Sequence, residues 1–263
     1  MDPYYGTDLA WVHDVGYAQH AKRVAPGIVQ LLRDAGLGAG ARVLDIGCGS
    51  GCLARILLDA GFAVYGVDAS PAMIALARRH VPAGRFDVLR LPTHRRSGSA
   101  GALPRADAVV STGHALNYLA TRDDIARGLI ELAGAVRPGG ILAIDLMAEA
   151  RLMKSKRRDV RVRLTDDWAI YTRLLRPAPD RLDRAITVFR RVGKTWRRSD
   201  EVHHNLSFDV SEALRLLRSA GIDAVSRPAF GSEKLPDDLI VLTGSRGPGR
   251  RPARALNRRR TRS

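Results

Sequence analysis

Short apolar runs that alternate with helical segments constrain the fold of this chain most strongly. Five such runs lie in the first 145 residues, at 42–46, 63–67, 86–89, 108–111 and 141–145. Helix signals stand between them, such as the Ser70-Pro71 pair, which is typical of a helix start. Strands that are apolar throughout, rather than at alternate positions, indicate a parallel sheet with helices on both faces. We therefore predict an α/β fold.

The pattern changes after the fifth run. Within residues 159–207, apolar and polar side chains alternate, beginning with Val160, Val162 and Leu164, which are separated by arginines. A period of two is typical of an antiparallel strand with one face in water. We therefore predict a small antiparallel insert after the fifth strand. A helix that begins at Asp209 and two last strands then complete the main sheet.

These patterns divide the chain into five parts. We expect a helical lead-in at 1–40, an α/β core at 41–150, the antiparallel insert at 151–208, the C-terminal part of the core at 209–243 and a disordered basic tail at 244–263. The tail is rich in Gly, Pro and Arg, a composition that cannot bury enough apolar surface to fold.

The net charge of +16 comes in large part from that tail. Eight arginines and no acidic residue stand in the last 18 positions, so half of the excess charge lies there. Because the basic residues are mostly Arg, a GC-rich coding bias accounts for them as well as selection for a nucleic-acid partner does. We expect the tail to give only weak, non-specific attraction to polyanions, which salt screens.

No apolar run approaches the roughly 20 residues that a bilayer requires, and residues 1–5 are polar and aromatic rather than a basic-plus-apolar leader. We therefore expect a cytoplasmic protein with no membrane partner. Cys48 and Cys52 are too few and too close for a disulfide framework or a zinc site, so we expect no metal.

A glycine-rich loop follows the first predicted strand. Gly47, Gly49 and Gly51 alternate with other residues, and such a turn lets a ligand approach the backbone at the start of the next helix. Asp68 ends the second strand, about 20 residues further on, where a carboxylate can accept both hydrogen bonds of a ribose diol. The combination predicts a nucleotide-like ligand.

The spacing argues against a dinucleotide. Its fingerprint is G-x-G-x-x-G, whereas this loop reads G-x-G-x-G. Asp45 stands two residues before the first glycine, and an anion there suits a ligand with ammonium and sulfonium groups better than a diphosphate. We therefore predict S-adenosylmethionine (SAM) rather than NAD.

These residues, together with the turn Arg137-Pro138-Gly139-Gly140, resemble the class I SAM-dependent methyltransferases, in particular those that act on small molecules. The resemblance covers roughly residues 40–243. It implies a Rossmann-like, seven-stranded, mostly parallel sheet with one antiparallel strand and helices on both faces. It also implies methyl transfer from bound SAM.

The resemblance further implies which residues contact the cofactor. Residues of the loop would hold its methionine part and ribose, namely Gly47, Cys48, Gly49 and Gly51. Asp45 would lie near the methionine amino group and Asp68 at the ribose hydroxyls. Ala69 and Met73 would pack near the adenine.

Two further segments are implied. Arg90 and Leu91 stand where the family often has an acidic residue at the adenine amine, so we expect a backbone contact there. Thr112 and Gly113 follow the fourth strand and would border the methionine part and the transferred methyl.

The same resemblance implies that two segments cover the cofactor and the acceptor. The amino-terminal aromatic side chains resemble a lid over the cofactor, and they are Tyr4, Tyr5, Trp11, His13 and Tyr17. The insert stands where related small-molecule enzymes have a substrate-covering sheet. We expect Tyr5 or His13 to contact the cofactor; alternatively, these aromatic residues only pack the first helix.

A general base is needed if the acceptor is a hydroxyl or an ammonium group. His114 is the first candidate because its loop borders the methyl donor. His13 and the pair His203 and His204 are weaker candidates, and only one of that pair can face inward on a strand.

The sequence thus predicts a methyltransferase that modifies an O or N atom of a small molecule. An RNA or protein methyltransferase is one alternative, using the tail and six arginines of the insert: Arg161, Arg163, Arg190, Arg191, Arg197 and Arg198. Against it, the fourth-strand loop lacks an Asn-Pro-Pro-Tyr motif. A non-catalytic SAM-binding module is the other alternative.

Overall fold

The computed structural model describes residues 4–93, 103–154 and 159–248. Its helices are α1 (Thr7–Tyr17), α2 (Gln19–Asp34), α3 (Cys52–Asp59), α4 (Pro71–His80), α5 (Arg122–Ala135), α6 (Glu149–Leu152) and α7 (Val210–Ser219), with a 3₁₀ turn at Ala115–Tyr118. Its strands are β1 (Arg42–Ile46), β2 (Ala63–Asp68), β3 (Arg85–Val88), β4 (Ala106–Ser111), β5 (Val136–Met147), β6 (Val160–Leu164), β7 (Trp168–Ala178), β8 (Arg181–Val192), β9 (Thr195–Leu206), β10 (Ile222–Arg227) and β11 (Leu239–Arg246).

Seven strands form the main sheet in the order β10-β11-β5-β4-β1-β2-β3. The strands β1 to β5 pair in parallel, and β11 is antiparallel to both of its neighbours. The predicted fold class, a Rossmann-like sheet with one antiparallel strand, is confirmed.

Apolar residues on both faces of each central strand explain why this sheet forms. In β1, Val43 packs with α2, α3 and α4 on one face, and Leu44 packs with α5 and α7 on the other. The alternation of strand side chains between faces therefore gives two cores from one continuous apolar run. The carboxyl ends of the strands are left for loops.

The insert is a four-stranded antiparallel sheet in the order β6-β7-β8-β9, as predicted from its period of two. It is joined to α1 by a third apolar cluster, which includes Leu9, Val12, Trp168, Ile186 and Val188. Gly16 of α1 lies so close to Trp168 that an added Cβ would be 2.8 Å from the indole. The lead-in and the insert therefore form one packed unit above the strand ends.

The boundary of the basic tail differs from the expectation at 244. Gly244 still pairs with Leu142 and Ala224 inside the sheet, and Arg246 donates hydrogen bonds to the carbonyl oxygens of Ala133 and Ala220. Disorder from residue 244 is therefore wrong for 244–246, because sheet pairing compensates for the poor composition. Most of the expected tail, 249–263, lies outside the described residues.

The lead-in consists of two helices that meet at Ala18 rather than one long helix. None of the helices within the described ranges is long and apolar enough to cross a membrane.

Candidate active site

A cavity of about 860 Å³ lies at the carboxyl ends of β1, β2 and β4, beneath α1 and the insert. Ligands of open α/β sheets bind at this edge of the strands. The lining lacks Gly51, Trp11 and the weaker base candidates His203 and His204. It includes the other residues that the sequence assigns to the cofactor and to catalysis, namely Tyr5, His13, Asp45, Gly47, Cys48, Gly49, Asp68, Ala69, Met73, Arg90, Leu91, Thr112, Gly113 and His114.

The glycine loop requires its glycines. Gly47, Gly49 and Gly51 have φ angles of 67°, 53° and 83°, in the left-handed region that side chains disfavour. A Cβ on Gly47 would also lie 2.6 Å from that of Ala115. Gly51 begins α3 and packs toward Ala77 of α4, so its role is close packing below the cavity.

Asp68 fixes the shape of this loop. Its Oδ2 accepts a hydrogen bond from the Gly49 amide at 2.9 Å, and its Oδ1 accepts one from the Ser70 amide at 2.8 Å. Burial raises the pKa of Asp68, while these hydrogen bonds act in the opposite direction. The carboxylate is thus held between the loop and the start of α4.

Asp45 lies on β1 beside the same loop and is 1% exposed. Its Oδ2 is buried and accepts no hydrogen bond from the described residues. Burial, and secondarily the charge of Asp68, raises the pKa of Asp45 to about 7. Burying a carboxylate without a hydrogen-bond partner costs free energy. A cationic donor bound in the cavity would reduce that cost.

Ser70 joins α4 to the lead-in. Its Oγ accepts a hydrogen bond from the Met73 amide at 3.1 Å, which caps the helix, and donates one to the carbonyl oxygen of Tyr5 at 2.7 Å. Tyr5 itself has a φ of 60°, unusual for a non-glycine residue. The amino-terminal segment is therefore fastened to the cavity wall near Ala69.

The loop after β4 is positioned by an acid that sequence reasoning missed. Asp145 of β5 accepts hydrogen bonds from the amides of Gly113 at 2.9 Å and His114 at 2.6 Å. The Nε2 atom of His20 lies 3.6 Å from Asp145. The sequence did contain a signal for this contact. Asp145 stands near the end of a predicted strand, and parallel strands end at the same edge of a sheet, so its carboxylate could be expected near the loop after β4.

Aromatic rings form one wall of the cavity, the aromatic wall, which consists of Tyr5, His13, His114 and Tyr118. The imidazole of His114 stacks on Tyr118, with centroids 5.6 Å apart. The hydroxyl groups of Tyr118 and Tyr5 are 2.9 Å apart, and the His13 ring lies 5.1 Å from that of Tyr5. Burial, together with the charge of Arg184, lowers the pKa of His13 to about 4, so this histidine is neutral at pH 7.

Glu201 of β9 ties the insert to the lead-in. Its two carboxylate oxygens accept hydrogen bonds from the amides of Tyr5 at 2.8 Å and Gly6 at 2.9 Å, and His203 Nε2 lies 2.8 Å from Oε2. Burial opposes ionisation, but these hydrogen bonds outweigh it and hold the pKa of Glu201 below its ordinary value. His203 is buried, while the side chain of His204 is 39% exposed.

Arg184 of β8 also lines the cavity, and sequence reasoning missed it among the many arginines. Its guanidinium donates a hydrogen bond to the Tyr118 hydroxyl and lies over the ring of the same tyrosine, 5.3 Å from the centroid. Tyr118 is thus contacted by His114, Tyr5 and Arg184 together.

The arginines proposed as a nucleic-acid footprint are engaged within the protein. Arg190 and Arg197 pair with Asp8, Arg191 pairs with Asp167, and Arg198 pairs with Asp200. Arg163 lies over the rings of Tyr17 and Trp168. The contacts of Arg163, Arg190 and Arg197 join the insert to the lead-in, and those of Arg191 and Arg198 lie within the insert.

Comparisons with known proteins agree with this geometry. Residues 43–140 match the model of a family described as a methyltransferase domain. YqeM of Bacillus subtilis (strain 168), which is named as a methyltransferase, is 27% identical over 186 residues, covering 68% of this chain and 72% of YqeM.

Solved structures share the fold over nearly the whole chain. A SAM-dependent methyltransferase from Clostridium acetobutylicum ATCC 824 has a TM-score of 0.74 at 17% identity, covering 90% of this chain and 97% of that one. SAM-bound CalS10, an amino pentose methyltransferase from Micromonospora echinaspora, has a TM-score of 0.69 at 21% identity, covering 94% and 99%.

The family match runs from β1 to the first residues of β5, and the predicted glycine loop and Asp68 lie within it. Together with the fold and the glycine loop, these findings support a class I SAM-dependent methyltransferase with SAM as its cofactor.

Proposed function

We propose that this enzyme transfers the methyl group of SAM to an O or N atom of a small-molecule acceptor. The observation that carries the proposal is that one cavity is lined both by the glycine loop and by the packed lead-in and insert, through α1, β6 and β8. A small acceptor enclosed there would meet the methyl donor away from bulk water.

The residues present fit SAM. The buried Oδ2 of Asp45 lacks a donor among the described residues, and the ammonium group of a methionine moiety would supply one. An added Cβ on Gly113 would meet nothing within 4 Å, so the loop after β4 leaves open space in the cavity. Asp68, whose carboxylate is fixed by the Gly49 amide, would receive the ribose diol, and Ala69 and Met73 of the cavity lining would contact the adenine.

When bound, SAM supplies a methyl group on a sulfonium, which is an already activated leaving group. The protein's own contribution is then to hold the acceptor in line and to exclude water; in-line positioning is worth up to about 7–11 kcal/mol. The loop of Thr112 and Gly113, held by Asp145, would border the reacting atoms.

We assign His114 as the general base for an acceptor that must lose a proton. It lines the cavity on the loop held by Asp145, and its ring is fixed against Tyr118. His13 is the weaker candidate, because a pKa of about 4 makes it a poor base near pH 7. We further propose that Tyr5 contacts the bound cofactor.

A small acceptor is favoured over RNA or protein for three reasons. The cavity is covered by the lead-in and the insert. Arginines of the alternative footprint are engaged with other side chains of the same chain, namely Arg163, Arg190, Arg191, Arg197 and Arg198. SAM-bound CalS10, whose fold is similar, is named for a small acceptor with an amino group. We place the enzyme in the cytoplasm as part of the same proposal.

Incubating the protein with methyl-labelled SAM and a cell extract that has been separated into RNA, protein and metabolite fractions tests this proposal. We expect label to enter the metabolite fraction only, and the His114→Asn variant to transfer far less. Label in RNA or protein would favour a macromolecular acceptor, and SAM binding without any transfer would favour a non-catalytic module.

A further inference from the structure

Five arginines line the cavity: Arg90 beside the expected adenine position, and Arg23 of α2, Arg161 and Arg163 of β6 and Arg184 of β8 elsewhere. The carboxylates among the described lining residues are Asp45 and Asp68, which lie at the glycine loop and have the cofactor roles proposed above. The part of the cavity left for an acceptor is therefore lined by positive charge.

Arg184 differs from the arginines around it. Arg181 of the same strand pairs with Asp183, and Arg190 pairs with Asp8. Within the described part of the chain, Arg184 has no carboxylate partner: its guanidinium donates to the Tyr118 hydroxyl, and its buried Nε has no hydrogen-bond partner. A guanidinium drawn from water without a counter-ion is costly, and an anion in the cavity would remove that cost.

Tyr118 and Tyr5 add a second donor at the same place. Their hydroxyl oxygens are 2.9 Å apart, so one O–H hydrogen serves the bond between them. The Tyr118 oxygen also accepts from Arg184, so these contacts use only one of the two O–H hydrogens and the other is available to donate to a ligand. A guanidinium beside a phenolic donor suits the oxygens of a carboxylate or phosphate.

We propose that the methyl acceptor is an acid, whose carboxylate or phosphate pairs with Arg184 beside Tyr118. This inference rests on the proposed function, because it names the chemical class of that enzyme's acceptor. The exposed arginines Arg23, Arg161 and Arg163 lie at the cavity as well and would draw anions toward it.

Calorimetry on the full-length protein, saturated with S-adenosylhomocysteine, tests the proposal with matched probes. The probes are dicarboxylic acids against their diamides and sugar phosphates against the free sugars. We expect one anionic set to bind at least tenfold more tightly than its uncharged set, and the set that binds identifies the group. Equal binding of the uncharged probes, or binding of no anion, would overturn the proposal.

Three variants test whether anion binding depends on Arg184. Arg184→Gln is expected to lose anion binding by at least tenfold and Arg184→Lys to lose less, while both keep their affinity for S-adenosylhomocysteine. Arg198→Gln, on the neighbouring strand and paired with Asp200 at the surface, is the matched control and should change nothing.

The cofactor measurement separates the two proposals. Failure of the wild-type protein to bind S-adenosylhomocysteine would count against the proposed function itself. Normal cofactor binding, with anion binding that Arg184→Gln leaves unchanged, would overturn only the acid-acceptor inference.

Discussion

At the scale of single residues, Asp45 combines deep burial with a pKa of about 7. Below that pH the carboxyl is neutral in the cofactor-free protein, whereas the ammonium of SAM favours its ionised form. Cofactor binding must therefore release a proton at low pH. We expect affinity to fall by up to tenfold per pH unit below about 7 and to be flat above it.

Calorimetry of S-adenosylhomocysteine between pH 5.5 and 8 in two buffers of different ionisation enthalpy checks this dependence. Asp45→Asn is the control, since it should bind more weakly and lose the dependence. An affinity of the wild-type protein that stays constant across the range would show that Asp45 is not the partner of the ammonium.

His114 is the residue whose replacement should separate chemistry from binding. Its φ of 53° makes Asn the suitable substitute, because Asn tolerates the left-handed region. We expect His114→Asn to lower kcat by about 10²–10⁴-fold for an acceptor that must lose a proton, with cofactor affinity nearly unchanged. An unaltered kcat would remove His114 from the chemistry; His13→Asn should reduce kcat less.

At the scale of elements, the lead-in is held over the cavity by Glu201. Its carboxylate accepts from the amides of Tyr5 and Gly6, so Glu201→Gln should weaken that attachment. We expect faster hydrogen exchange at these amides and a raised KM for the acceptor. Asp200→Asn, at the adjacent exposed position, is the control. Unchanged exchange in Glu201→Gln would show that α1 packing alone holds the segment.

This variant is a sharper test than removing residues 1–17. Leu9 and Val12 of α1 are buried against Trp168, so truncation would uncover an apolar surface and unfold part of the insert. Loss of activity after truncation would not distinguish a lid from a packed helix.

The position at which the basic tail begins gives a prediction about stability. A chain ending at 248 should keep its kcat/KM for a small acceptor and its melting temperature, and lose most weak RNA binding at low salt. A chain ending at 243 should melt several degrees lower, because it lacks Gly244 in the strand and the hydrogen bonds of Arg246. Equal melting temperatures would contradict this assignment of the boundary.

At the scale of the whole molecule, local sequence signals were enough to predict the main sheet. The apolar runs of β1, β2, β4 and β5 and the glycine loop can each be recognised from a few consecutive residues. Alternating residues in the insert likewise predicted its strands, and Asp209 caps α7 as its spacing indicated.

The contacts within the aromatic wall of the cavity could not be predicted from the sequence, because its residues meet only through the tertiary fold. Tyr5 reaches Tyr118 across 113 positions and Glu201 across 196. Arg184 resembles its neighbouring arginines in sequence and is distinguished only by where β8 places it. Asp145 was missed because its role depends on the loop of an adjacent strand.

Titration of the protein with SAM, S-adenosylhomocysteine and NAD in one calorimeter tests the central claim most directly, namely that this cavity is built around SAM. We expect the first two to bind at one site per chain and NAD to give no heat. Asp68→Ala should weaken binding by about 1–3 kcal/mol, since it removes charge-assisted hydrogen bonds to the ribose and to the Gly49 amide. Binding of NAD without binding of SAM would contradict the account.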